Sequence, residues 1–221
     1  MFHFVTDKEF LDASRAFCSR IMCRTRDLLH EEDINSQPVL VGSGARNLVT
    51  QNENEPIDFD YNLEVLSCED FDDCKAIKSK VKKCFDKALR EAGLPDSNDS
   101  TSVLTSKRIY LRGWPTIGFS IDVCITCEDG DQWYRLIHDK PHGFWDNDNW
   151  IWNQGFSKRN YAKKAKEIKK VPGAWVTLRE KYLKKKNKYL SAGDNNHPSF
   201  ICYVEAINDL HNELRQKKKI K

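Results

Sequence analysis

Asp58 and Asp60 stand two apart in the run Ile57-Asp58-Phe59-Asp60-Tyr61-Asn62-Leu63-Glu64-Val65, which alternates apolar and polar residues with period two. In a β-strand that spacing sends both carboxylates out of one face with their roots roughly 6 to 7 Å apart. Carboxylates that close repel each other unless positive charge sits between them. A divalent cation is the natural filler, because Mg²⁺ takes one or two protein carboxylates and completes its octahedron with water and substrate phosphates. A third acid, Asp122, is embedded in Gly118-Phe119-Ser120-Ile121-Asp122-Val123-Cys124-Ile125. Its apolar neighbours face the core, so it must face the other way, and a strand laid beside the first would bring three carboxylates to one patch. Three such groups suit two metals, the arrangement that activates an attacking hydroxyl and stabilises a leaving pyrophosphate. Upstream, Gly42-Ser43-Gly44 supplies a turn whose backbone N–H groups can approach an anion, with the Ser43 hydroxyl as a further donor. Arg46, three residues after Ser43, is placed either to add a charge-assisted contact or to brace the turn.

The elements that must hold these groups follow from periodicity. Phe10, Ala13, Phe17, Ile21 and Leu28 or Leu29 recur at helical spacing, with no proline between Asp7 and Leu29, and predict an opening amphipathic helix. Pro38-Val39-Leu40-Val41 then predicts a short buried strand that ends at the glycine turn. Phe71, Cys74, Ile77, Val81, Phe85, Ala88 and Leu89 predict a second helix, stopped by Gly93 with Pro95 just beyond. Two further strands are expected from Val103 to Leu111 and from Gly118 to Ile125, joined around Gly113-Trp114-Pro115. After a tryptophan-rich stretch the chain reads as helical over 157–170, 173–190 and 200–214. The expected order is helix, strand, strand, helix, strand, strand, helices, an α+β pattern. It divides into a core over 1–156 and a basic helical region over 157–221, expected to pack on that core.

Length and composition bound the function. With 221 residues, 39% hydrophobic and 11% aromatic, the chain can bury roughly 70% of its unfolded surface and needs no metal or disulfide staple. The net charge is only +3, which excludes a uniformly basic nucleic-acid coat. That balance hides an asymmetry: 157–221 carries 18 Lys and Arg against 6 Asp and Glu, a net of +12, which leaves −9 for the first 156 residues. An acidic front gathers cations and a basic back faces an anion. The first residues show no secretory pattern, and no run approaches the ~18 apolar residues of a membrane span. A soluble, cytoplasmic protein with no membrane partner is expected. Most of the eight cysteines sit in apolar periodic segments, as buried thiols of a reducing compartment do. Cys124 and Cys127 form a single CxxC, read as structural.

Gly42-Ser43 at a strand end, Asp58-x-Asp60 fifteen residues after the serine, and a lone Asp122 on a later strand resemble the DNA polymerase β-like nucleotidyltransferase superfamily. Gly42-Ser43-Gly44-Ala45-Arg46 is most similar to the template-independent branch, with archaeal-type CCA-adding enzymes, oligoadenylate synthases and bacterial cyclic-oligonucleotide synthases. The resemblance implies an α+β core on a mixed sheet flanked by helices, an NTP donor with ATP expected, and Mg²⁺ or Mn²⁺. It implies Asp58 and Asp60 as metal ligands, Asp122 as the third carboxylate that also helps activate the acceptor hydroxyl, and Gly42, Ser43 and Arg46 at the nucleotide. The motifs span roughly Leu40 to Ile125. Where that branch often has Gly-Thr after the basic residue, this chain has Asn47-Leu48. The acceptor is left open among small molecule, nucleotide, RNA and protein. The alternative is a catalytically inactive member of the fold that binds nucleotide, RNA or a partner protein.

Three other features have competing readings. Trp133, Trp145, Trp150 and Trp152, with Phe144, either stack a base or form a hairpin on the core around 146–149, the second being expected. His138 and His142 read as surface residues. Lys163, Lys164, Lys166, Lys169 and Lys170, with Lys181, Lys184, Lys185, Lys186 and Lys188, are solvated helix faces by default, otherwise a polyanion surface. In a third reading one or two of them, or Lys158 and Arg159, reach the triphosphate.

Overall fold

The period-two run around Asp58 folds as a strand, Ile57–Ser67, whose residues alternate between buried and solvent-facing from Ile57 to Val65. The structure, a computed structural model, describes residues 1–139, 149–155, 159–190 and 198–220. In chain order its strands are β1 Phe2–Phe4, β2 Asn35–Leu40, β3 Thr50–Asn52, β4 Ile57–Ser67, β5 Asn98–Asp99, β6 Leu104–Thr105, β7 Ile109–Leu111, β8 Trp114–Asp129, β9 Gln132–Asp139 and β10 Asn149–Gln154. Its helices are α1 Lys8–His30, α2 Cys74–Glu91, α3 Arg159–Lys169, α4 Ala174–Tyr189 and α5 Ser199–Gln216. Contacts divide the chain into two units. One comprises Val5–Val49 and Glu55–Phe156, the other Met1–Phe4, Thr50–Asn54 and Ser157–Lys221.

The larger unit is built on a mixed sheet in the order β10-β9-β8-β4-β2, with β6 and β7 also paired to β8. The central pair, β4 and β8, is parallel, and the other pairings are antiparallel. Phe59 of β4 and Phe119 of β8 point to the apolar face, where Phe10 of α1 meets Phe119 edge-on at 6.2 Å and Phe59 meets it at 5.8 Å. Both helices that cover this face start on an aspartate cap. Asp7 accepts from Phe10 N at 2.9 Å and Asp73 accepts from Ala76 N at 2.9 Å, satisfying amide groups that a helix start leaves orphaned. Phe71, expected inside α2, precedes the Asp73 cap, and its backbone carbonyl accepts from Trp152 Nε1 at 2.8 Å.

Two expected strands need correction. On the edge strand β2, Val39 stands level with Asn62 and so on the carboxylate face, and although expected to be buried it is 38% exposed. The stretch expected as one strand from Val103 to Leu111 is two short ones, separated where Ser106 Oγ accepts from Ile121 N at 2.9 Å. The tryptophan-rich stretch forms the β9–β10 hairpin, with Trp150 and Trp152 against the core. Phe144, Trp145, His142 and positions 146–148 lie outside the described residues.

The smaller unit pairs β1 antiparallel with β3 and packs α5 against both α3 and α4. Several lysines expected on solvated faces have partners inside it: Lys181 with Glu213 (2.6 Å), Lys185 with Glu205 (3.0 Å) and Asp209 (2.9 Å), and Lys164 with Asn208 (2.7 Å). Lys186 is buried outright, donating to Thr50 Oγ1 at 2.8 Å with its ammonium 4.3 Å from the centre of the Phe2 ring. Among the described residues no helix is long and apolar enough to cross a membrane.

Candidate active site

Parallel pairing of β4 with β8 sets the site, because it puts Asp60 level with Asp122 and Asp58 level with Ser120. Side chains level with one another on neighbouring strands share a face, so the three aspartates stand together on the face opposite Phe59 and Phe119. Asp58 is exposed and the other two are half-buried. Ser120, which the sequence reading passed over, donates from Oγ to Asp58 Oδ1 at 2.5 Å. Its signal was present: a serine two residues before Asp122 in a strand must share that residue's face.

The glycine turn closes over these acids. Val41 N donates to Asp60 O at 2.8 Å, and Gly42 follows at φ +62°, a conformation natural to glycine. A Cβ at Gly42 would lie 2.1 Å from Asp60 Oδ2, so the turn's backbone runs directly against that carboxylate. Arg46 Nη1 donates to Gly42 O at 2.6 Å, the bracing geometry of the two weighed for this arginine. Ser43 O accepts from Arg46 N (3.2 Å) and Leu48 N (3.0 Å), which closes the single 3₁₀ turn Gly44–Arg46. Asn47 leaves that turn at φ 56°, and its Oδ1 accepts from Arg15 at 3.1 Å.

Asp122 is the electrostatically stressed member. Burial pushes its carboxyl above the ordinary 3.8, a hydrogen bond from Thr105 pulls it back, the charge of Asp58 raises it again and Arg135 lowers it. Its Oδ1 is buried with no hydrogen-bond partner among the described residues. A buried acceptor of this kind calls for a cation or donor. Arg135 stands level with Thr126 on β9, on the same face. Further along β8, a Cβ at Gly118 would meet Arg108 Cδ and Cγ at 2.8 Å, so the glycine makes room for Arg108 to lie across the strand.

The donors are all oxygens, which suits a hard cation such as Mg²⁺ or Mn²⁺. Asp58, Asp60 and Asp122 fit such an ion by their shared face, the unpartnered Asp122 Oδ1 and the close turn at Gly42. Among the described residues no three His, Cys, Asp or Glu side chains are close enough together to hold a metal ion by themselves. Mg²⁺ rarely uses an all-protein cage, since substrate phosphates and water complete its shell. The CxxC offers no competing centre: Cys124 and Cys127, three apart on β8, emerge on opposite faces, and all eight cysteines are free thiols. His138 stacks on Trp150 at 4.5 Å. Lys158 and the side chain of Arg159 lie outside the described residues.

No protein-family model matches the chain, and no curated protein matches it in sequence. Solved structures match it in fold. A Vibrio cholerae DncV cyclic AMP-GMP synthase in complex with the linear intermediate 5′ pppA(3′,5′)pG superposes with TM-score 0.65 at 11% identity, covering 93% of this chain and 68% of that one. E. coli MS115-1 CdnC with ATP gives 0.54 at 16% identity, covering 91% and 61%. The Elizabethkingia meningoseptica CdnE cyclic dinucleotide synthase with GTP and Apcpp gives 0.53 at 12%, covering 88% and 69%. At these identities the likeness is one of fold: the chain shares the mixed α+β sheet fold of these structures.

Proposed function

We propose that this chain is a divalent-metal-dependent nucleotidyltransferase that moves a nucleoside monophosphate from an NTP, ATP first among donors to test, to a hydroxyl acceptor. The acceptor oxygen bonds to the α-phosphorus, the α–β phosphoanhydride breaks, pyrophosphate departs and the hydroxyl proton is released. One observation carries the reading: the register that levels Asp60 with Asp122 while the Gly42 turn lies against Asp60. Solved structures of the same fold that hold ATP or GTP support it. A complex with a linear dinucleotide intermediate makes a second nucleotide the first acceptor to try.

Asp58 and Asp60 would hold the metals and Asp122 would be the third ligand. Bound there, Mg²⁺ or Mn²⁺ supplies charge neutralisation on the phosphates and lowers the pKa of the attacking hydroxyl. Backbone N–H groups of Gly42 and Ser43, with the Ser43 hydroxyl, would orient the triphosphate. Arg46 holds that turn in shape through the Gly42 carbonyl. Asp122 would also help to activate the acceptor hydroxyl.

The test is pyrophosphate release from each NTP with Mg²⁺, with and without a second nucleotide, in the wild type and in Asp60→Asn. Loss of one metal-binding carboxylate is expected to slow release by at least about 10²-fold. Unchanged release in Asp60→Asn removes this reading. Nucleotide binding without release by the wild type favours an inactive, nucleotide-binding member of the fold.

A further inference from the structure

We infer that Ser120 selects the metal, by keeping Asp58 a one-oxygen ligand. Asp58 is an exposed side chain on a strand, and the terminal torsion of an aspartate is broad, so nothing intrinsic fixes its carboxylate plane. Ser120 fixes it. The two residues are level on adjacent parallel strands, Ser120 is 6% exposed, and its hydroxyl donates to Asp58 Oδ1 at 2.5 Å, the range of charge-assisted O–H···O⁻ bonds. The backbone beneath it is held on both sides, by β4 and by the pairing of Phe119 with Ile109 of β7.

A carboxylate that gives one oxygen to a hydroxyl has the other left for a cation. Ca²⁺ accepts both oxygens of one carboxylate and tolerates seven or eight ligands at roughly 2.3–2.6 Å. Mg²⁺ requires near-octahedral geometry at about 2.0–2.1 Å and takes carboxylates through single oxygens. A hydroxyl locked on Oδ1 therefore penalises the larger ion and leaves the smaller one unaffected. Outer partners of this kind tune metal sites strongly, with typical effects of roughly 10- to 100-fold.

This inference rests on the nucleotidyltransferase reading, in which the aspartates hold the metal, so the experiment tests metal capture at that site separately. Free Mn²⁺ is followed by electron paramagnetic resonance in the presence of a non-hydrolysable ATP analogue, subtracting the signal change of the nucleotide alone, and Mg²⁺ or Ca²⁺ is titrated in as competitor. The readout is the ratio of Ca²⁺ to Mg²⁺ concentrations that half-displace the Mn²⁺, which needs no turnover. In Ser120→Ala that ratio is expected to fall about 3- to 10-fold, and Ser120→Thr, which keeps the hydroxyl, is expected to retain the wild-type value. Ser120→Cys, close in volume and a weak donor, is expected to shift as the alanine variant does and serves if that variant folds poorly. An unchanged ratio in a folded Ala or Cys variant overturns the inference, provided Asp60→Asn has lost Mn²⁺ capture. If Asp60→Asn captures Mn²⁺ as well as the wild type, the nucleotidyltransferase reading falls first and the role of Ser120 with it.

Discussion

Burial works against the charge on Asp122, and the nearby Asp58 adds to the effect. Without metal the folded chain holds this carboxyl above its unfolded value, so its contribution to stability is fully present below about pH 3.8 and is lost as pH rises through the folded value. Asp122→Asn removes the ionisation. In metal-free protein the substitution is expected to raise Tm at pH 7 and to leave it unchanged below pH 3.8; thermal melts at both pH values check it. A Tm that falls at pH 7 would mean that the charge is already compensated by Thr105 and Arg135. At this scale the three aspartates and Gly42 could be read from spacing, because each breaks a local pattern: an acid in an apolar strand, a glycine at a strand end. Thr105 and Arg135 could not, since a threonine and an arginine in strands are unremarkable until the register says what lies beside them, and spacing put Ser120 on the face of Asp122 without showing that it lies beside Asp58.

Among elements, α1, α2 and β4 were legible because each repeats its burial period over many residues and both helices carry a cap, while β8 was legible from its apolar run around Asp122. The β1–β3 pair was not. Its three-residue strands lie some 48 positions apart, so no local pattern announces a partner. The break between β6 and β7 was equally hidden, because Ser106 satisfies strand hydrogen bonds with its side chain while apolar alternation continues through it. The exposure of Val39 depends on its standing level with Asn62 on the open face at the sheet's edge, a property of the sheet and not of the strand. The cap of α2 gives a test at this level. Asp73→Ala removes the acceptor for Ala76 N and is expected to cost about 1 kcal/mol in urea unfolding, whereas Asp73→Asn, an equally good cap, should cost a few tenths at most. Equal losses in both variants would show that charge at the helix N-terminus, not the hydrogen bond, is what Asp73 supplies.

For the molecule as a whole, the near-zero net charge is a sum of opposite parts, and the structure changes what the positive part means. Lys164, Lys181, Lys185 and Lys186 are engaged with their own unit, which leaves fewer cations for a polyanion than the +12 of 157–221 suggests. Lys186 ties that unit together across the sequence, since it links α4 to Thr50 and to the Phe2 ring, segments that arrive from two distant parts of the chain. Its neighbour Asn187 reinforces the tie by accepting from Phe2 N at 2.7 Å and donating to Phe2 O at 3.0 Å. Lys186→Ala leaves Thr50 without its buried donor and the Phe2 ring without its cation, a loss of about 2 kcal/mol. Because the smaller unit has its own internal contacts, that loss should be local. Amide hydrogen exchange is expected to speed up in β1, β3 and α4 while the amides of β4 and β8 keep their protection. Lys186→Met, which retains the apolar stem, should show a smaller effect at the same amides. Exchange that accelerates equally in β4 and β8 would show that the two units unfold as one and that Lys186 stabilises the whole chain.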